Sequence, residues 1–312
     1  MRLASIVLLG LGLLVAGCGG ETSAPGPAAR SGPPTVAATF ELLRVIATRL
    51  GGDDVRVIAP LPGDEDPAWW RPTGEAVSAL QQADVVLANG AGYERWLDKV
   101  SLPRARLVKT TALIKEPLRK VKDATVHSHG PGGAHSHEGL DGYTFVDPSL
   151  LREQAEAVRR ALRAVRPDAA ERIDARAKAL DDELAATAKA AAAVRRLSAG
   201  QVIVTAHPVY GYLARRLGWT TVDLAWVPEK APDAAALAQL KERLAGHAAW
   251  VLLWPWTPSA ETTAAVEAAT GLTSVVLPIG DVSLPKDRAA GRDVLAAFRA
   301  GLERLDAALR AQ

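Results

Sequence analysis

The sequence predicts an α/β protein of two lobes, each with a largely parallel sheet, joined by a long helix and holding a ligand cleft between them. Three observations predict it. Stretches with apolar residues at helical spacing alternate with short apolar runs, the pattern of helices packed on parallel strands. That alternation occurs twice, on either side of a long stretch rich in Ala, Leu, Arg and Glu. The chain has 312 residues, enough for two domains of ordinary size.

The elements follow in order. Met1-Arg2 gives a positive start, and Leu3 to Ala16 is almost wholly apolar. That run is too short to span a bilayer comfortably and reads as the core of a signal peptide, residues 1–17. It ends at Leu14-Val15-Ala16-Gly17-Cys18, which resembles the lipobox of bacterial lipoproteins, where the cysteine is lipidated and becomes the new N-terminus. Cys18 is the only cysteine, so neither a disulfide framework nor a thiolate metal site is available. Residues 18–34 carry few large apolar groups and read as a lipidated, flexible tether.

A first lobe is expected over 35–167. Phe40 to Leu50 has helical spacing and stops at Gly51-Gly52; Val55 to Ala59 reads as a strand, Glu75 to Ala83 as a helix, and Ala83 to Gly90 as a buried strand ending in a turn. A long Gly/His/Ser-rich loop, 123–142, interrupts the rhythm, and such loops are often functional. From Ser149 to Leu197 the pattern is helical, broken at Pro167, a residue suited to the first turn of a second helix. Residues 168–197 are expected to be one helix linking the lobes.

The second lobe, 198–312, repeats the pattern. Strands are expected at Gln201–Thr205, Thr220–Leu224, Trp250–Trp254 and Ser274–Leu277. Helices are expected at Val209–Leu217, Ala234–Ala245 and Ser259–Thr270, with a last one at Asp287–Leu309.

Charge narrows the partners. Lys and Arg total 37 against 35 acidic residues, and no basic cluster is interleaved with aromatics, so nucleic acid is not an expected partner. No nucleophile motif, phosphate-cradling glycine loop or paired-cysteine site is present, so the chain is not expected to be an enzyme. A zinc hydrolase would need an open coordination position and a general base. Glu138 is the only candidate for that base in the loop, and no catalytic motif supports it.

The strongest chemical signal is His127-Ser128-His129-Gly130-Pro131-Gly132-Gly133-Ala134-His135-Ser136-His137, which holds four of the six histidines. Each pair is spaced i, i+2, which in extended backbone puts both imidazoles on one face, roughly 7 Å apart at Cα. Neutral imidazole suits zinc and other late first-row ions, and the glycines let the loop fold back so that His127, His129, His135 and His137 meet one ion. Glu138 and Asp141 are candidate oxygen ligands. The plainer alternative is a solvated low-complexity tract that captures metal loosely. His207 follows an expected strand and precedes a helix, the edge at which open α/β sheets bind ligands. His247 reads as structural or exposed. Gly63-Asp64-Glu65-Asp66-Pro67-Ala68-Trp69-Trp70 offers carboxylates Glu65 and Asp66 and a tryptophan pair, Trp69 and Trp70, as cleft candidates; an acidic surface turn with Trp packed on the core is the plainer reading. Trp254-Pro255-Trp256 is a similar aromatic corner.

Lipobox, two α/β blocks, joining helix and internal His-rich loop together resemble the zinc/manganese-type solute-binding lipoproteins of ABC importers. Asp66-Pro67 with Pro72, Asn89-Gly90 with Tyr93, Glu94 and Trp96, Asp147-Pro148, Thr205-Ala206-His207 with Tyr210-Gly211-Tyr212, and Trp226-Val227-Pro228-Glu229 carry the likeness over essentially the whole mature chain. The resemblance implies a two-lobed protein that captures a divalent ion, zinc first with Mn²⁺ and Ni²⁺ as alternatives. It would then deliver the ion to an ABC permease while held to a membrane, on the periplasmic face or cell surface, as a monomer. It also exposes departures. The family's first metal histidine falls on Ala68, the second on Tyr143, and the final acid near Leu277-Pro278, with Asp281 close by; only His207 lies on a matching ligand position. Either the His-rich loop supplies the missing ligands with His207 as anchor, or the cleft has turned to an organic ligand or a metal chelate. A metal-buffering or adhesion-type surface lipoprotein without a transporter is the rival of another class.

Overall fold

The computed structural model describes residues 32–63, 65–121 and 139–311, and the backbone of 127–128 and 134–135. Cys18, the expected signal peptide and most of the tether lie outside the described residues. The first lobe opens with β1 (Thr35–Ala38), α1 (Glu41–Gly51), β2 (Arg56–Ile58), α2 (Gly74–Gln82), β3 (Val85–Ala88) and β4 (Leu107–Lys109). Short pairs follow, β5 (Lys120–Val121), β6 (His127–Ser128), β7 (Ala134–His135) and β8 (Gly139–Leu140). Then come α3 (Pro148–Val165) and α4 (Ala170–Ser198). The remainder is β9 (Val202–Thr205), α5 (Gly211–Leu217), β10 (Thr220–Asp223), α6 (Ala234–Arg243), β11 (Ala249–Trp254), α7 (Ala260–Thr270), β12 (Thr273–Val276), α8 (Pro285–Ala289) and α9 (Val294–Arg310).

Both four-stranded sheets are parallel and have the same plan: β2-β1-β3-β4 in one, β10-β9-β11-β12 in the other. β1, β3 and β9 are buried throughout, as expected of central strands covered by helices on both faces. Each strand order reverses once, between β1 and β3 and between β9 and β11. The crevice beyond the carboxyl ends at such a reversal is where open α/β sheets take ligands.

Residues 33–312 form one compact unit. Its main core draws on α1, α3, α4, α5 and α9 together, so a single apolar cluster runs from one sheet to the other. Two smaller clusters lie on the outer faces, one under α2 and one under α6 and α7. The Pro167 break is real: α3 ends at Val165, a short 3₁₀ turn follows, and α4 then runs 29 residues. Ion pairs pin α4 along its length. Arg172 and Arg176 meet Asp54 at 2.6 and 2.8 Å, and Glu183 meets Arg49, which also pairs with Asp293.

One expectation is corrected and two strands are added. The helix expected over Asp287–Leu309 is two helices, because Gly291 turns the chain at φ 65° and Asp293 caps a fresh start, accepting from Leu295 N and Ala296 N. The strands β1 and β4 were not expected; each is a run of three or four residues, too short for alternation to register.

Candidate metal centre

Loops from the carboxyl ends of both sheets build the site. After β3 the chain makes a tight turn in which Gly90, Ala91 and Gly92 all take positive φ, 81°, 52° and 76°. Ala91 is the only non-glycine with positive φ among the described residues. Backbone held in this way recurs at ligand sites, where the surroundings fix it. Here buried Glu94 fixes it: its carboxylate accepts from Thr39 Oγ1 at 2.7 Å, Asn89 N at 2.7 Å and Gly90 N at 3.0 Å. The next residue back, Tyr93, is thereby aimed into the crevice. Its ring is clamped by Phe40, Tyr143 and Phe145 at centroid distances of 5.1 to 5.4 Å. Gly142 passes so close that a Cβ there would lie 2.6 Å from Tyr93 Cα.

The turn at 66–70 is strapped to the same segment, with Trp96 Nε1 donating to Pro67 O and Arg95 N to Ala68 O, both at 3.0 Å. Within it, Ala68 N donates to Asp66 Oδ1 at 2.9 Å. Trp69 lies beneath the Arg95 guanidinium, 5.5 Å from ring centroid to carbon. Ala68, Trp69, Tyr93, Tyr143, Asp141 and Pro208 are among the residues lining a cavity of about 90 Å³.

From the second sheet come His207, after β9, and Trp256, after β11. His207 is 2 % exposed. Its Nδ1 sits 2.6 Å from Ala206 O; a carbonyl only accepts, so the neutral ring carries its proton on Nδ1 and its lone pair on Nε2, the form that binds metal. The ring meets Trp256 edge-on at 5.1 Å. Trp256 also donates from its indole to the Asp281 carboxylate, which is 3 % exposed. One tryptophan thus links His207 to Asp281. Asp281 edges a second cavity of about 230 Å³ that Phe40, Arg44 and Arg288 help to line.

The electrostatics are unusual for a carboxylate pair. Burial, and then the charge of Asp66, push the Asp281 carboxyl up to about 7. Burial pushes Asp66 up to about 6, against the backbone hydrogen bonds from Ala68 and Trp69. None of the leading influences on either group is a cation. A buried carboxylate such as that of Asp281, raised by burial and by a second acid, is costly to ionise until a cation arrives.

The sequence candidates separate. Trp69 and Tyr143 line the cavity, His207 and Asp281 are linked through Trp256, and Asp66 acts on Asp281 by its charge; among the described residues no three His, Cys, Asp or Glu side chains gather as a metal-holding group. Trp70 stands apart: it packs edge-on against Trp96 at 5.1 Å, in the apolar cluster under the first sheet. Glu65 is exposed and reaches the site only as a charge that raises Asp66. The acid expected near Leu277-Pro278 is also displaced. Leu277 is core, its carbonyl accepting from Tyr210 Oη at 2.6 Å; Pro278, Ile279 and Gly280 then carry the chain round to Asp281. Asp141 lines the crevice but faces Arg119, at 3.6 Å, and accepts from Tyr143 N. The side chains of His127, His129, His135, His137 and Glu138, and all of Asp64, lie outside the described residues. The backbone pairing of His127 with His135 is described. His247 is exposed. Tyr93 is the contributor that sequence reasoning named without giving it a place in the site, whereas Trp256 belongs to the aromatic corner read as facing the same cleft.

Residues 36–308 match the family described as zinc-uptake complex component A periplasmic. The chain belongs to that family. Its members are solute-binding components of transport systems. The chain is 26 % identical over 249 residues to the zinc-binding lipoprotein AdcA of Streptococcus pneumoniae, which covers 78 % of this chain and 48 % of AdcA; it thus spans about half of that relative's length. It is 22 % identical over 268 residues to the high-affinity zinc uptake system protein ZnuA of Bacillus subtilis, covering 85 % and 84 %. The Zn(II)-bound ZnuA-like domain of S. pneumoniae AdcA has the same fold, with a TM-score of 0.73 at 22 % identity over 89 % of this chain and 99 % of that one.

Proposed function

We propose that the chain captures a divalent metal ion, zinc first and manganese or nickel as alternatives, and passes it to the permease of an ABC importer. The observation that carries this reading is the Trp256 bridge. It links a buried imidazole with its lone pair on Nε2 to a buried carboxylate. His207 and Asp281 are two ligands, with Asp66 close by in charge. A zinc site takes about four, and histidines 127, 129, 135 and 137 supply the rest in this reading. Family membership supports a role in uptake and not in catalysis.

The reading includes export and a lipid anchor at Cys18, in keeping with the lipoprotein name of the relative, and action as a monomer. No helix among the described residues is long and apolar enough to cross a membrane. The lobes are taken as 35–167 and 198–312, with 168–197 between them and metal held at their junction.

Equilibrium dialysis of the mature chain against Zn²⁺, Mn²⁺ and Ni²⁺ tests the proposal. Binding tighter than about 1 µM, roughly −8 kcal/mol, is expected for at least one ion. Binding no tighter than about millimolar for all three would sink it.

A further inference from the structure

The chain has four buried tyrosines. Tyr210 Oη donates to Leu277 O at 2.6 Å, and Tyr212 Oη accepts from Arg119 N at 2.9 Å. Tyr93 differs. Its hydroxyl is buried and has no hydrogen-bond partner among the described residues. The residue is 2 % exposed and lines the cavity beside Ala68, Trp69 and Tyr143. A buried hydroxyl without a partner is disfavoured, and a native fold that keeps one usually has a use for it. This one is not a packing accident: the ring is fixed by three aromatic neighbours, the close pass of Gly142, and the Glu94-locked turn before it.

We infer that Tyr93 is a ligand-sensing donor, its hydroxyl satisfied only in the loaded protein by an oxygen of the bound ion's coordination sphere. Burial acts first on the phenol, followed by the charges of Asp281, Tyr143, Asp66 and Glu94, and the first three of these are candidates for the proposed metal centre. A phenol ordinarily keeps its proton at neutral pH, so this hydroxyl has a proton to donate. Its acceptor is a water that the ion retains or a carboxylate oxygen turned toward the ion. The inference rests on the metal-binding reading above and gives it a property that a bare ligand list lacks. A group that destabilises the empty protein stabilises the filled one, so Tyr93 widens the free-energy gap between the two states.

Tyr93→Phe tests this because it removes one oxygen and keeps the ring. Zn²⁺ and Mn²⁺ alone are the probes, measured by calorimetric titration on the mature full chain beside thermal unfolding of the metal-free protein. The variant should bind the ion that wild type binds best about tenfold more weakly. Its metal-free form should melt no lower than wild type, and ~2 °C higher if the hydroxyl is wholly unsatisfied. A loss of affinity under threefold, or a lower melting temperature for the metal-free variant, overturns the inference and leaves metal binding intact. Wild type that binds neither ion, nor Ni²⁺, overturns the parent reading and this inference with it.

Discussion

The two sheets share a strand order and diverge at their lips. At the second lip, β9 and β11 deliver His207 and Trp256, and the segment after β12 delivers Asp281; His207 and Asp281 are buried and each meets Trp256. At the first lip, Ala68 and Tyr143 stand where the family resemblance places histidines, and the turn after β3 offers a phenol. Equal topology therefore does not imply equal ligand capacity. The lips are lopsided: one presents His207 and Asp281, and the other presents the aromatic rings of Trp69, Tyr93 and Tyr143 with Asp66. The lopsidedness can be attacked from either side.

The largest effect is expected from the donor-rich lip. His207→Ala should weaken metal binding by roughly 100-fold or more, because even outer-sphere partners of a bound metal are worth about 10- to 100-fold. Dialysis of the variant against wild type reads this directly, and an unchanged affinity would move the site off the second lip altogether. Next comes the poor lip. Ala68 already faces the cavity, so Ala68→His should add an imidazole and tighten zinc binding by about tenfold. Loss of affinity there would show that the first lip no longer comes within ligand reach of the ion.

A pH series probes Asp281 itself. Its folded value, about 7, stands above the unfolded value of about 3.9. The proton is thus held more tightly in the folded state, and the associated stability is present below the unfolded value and lost as pH rises through 7. Metal needs the carboxylate, so affinity should climb as pH rises to about 7 and flatten above it. Asp281→Asn should bind metal more weakly and lose most of that climb; an unaltered pH profile would remove Asp281 from the site. The smallest effect lies in the turn after β3. Left-handed backbone costs a non-glycine residue about 1–2 kcal/mol, and glycine loses about 0.5–1 kcal/mol in chain entropy. Ala91→Gly should therefore stabilise by about 0.5–1 kcal/mol and raise the melting temperature by ~2 °C. Destabilisation instead would mean that the Ala91 methyl group makes contacts worth more than its strain.

Much of the fold was legible because helices such as α1 and α3 carry strong apolar periodicity, α4 is rich in alanine, and strands such as β9 and β11 are bounded by turn residues. The short strands β1 and β4 were not, since three or four residues cannot show alternation. The break at Gly291 was missed because a single glycine in a helical pattern is often tolerated. For the site, His207 was legible from its place after a strand. Asp281 was only half so: nothing local indicates that the chain from Leu277 buries its first residue in the core and returns to the crevice four residues later. Trp70 looked like the twin of Trp69 in sequence, yet adjacent residues in a tight turn point to opposite sides, and one went to the core. The role of Tyr93 had no sequence signal, because an unsatisfied hydroxyl is a property of surroundings assembled from four segments.

The hairpin stem formed by β5 and β8 has one more consequence. Lys120 pairs with Leu140 and Val121 with Gly139. Asp141 and Arg119, just outside the pair, seat on Gly211, where any side chain would collide with them at 2.3 to 2.5 Å. The two ends of the 122–138 segment are thus joined before that segment begins. Its length is thermodynamically insulated from the rest of the molecule, since doubling a loop whose ends already meet costs only about 0.6 kcal/mol. The stem is in effect a socket: segments of other lengths and compositions can be exchanged there, by evolution or by design, while the fold on either side stays as it is.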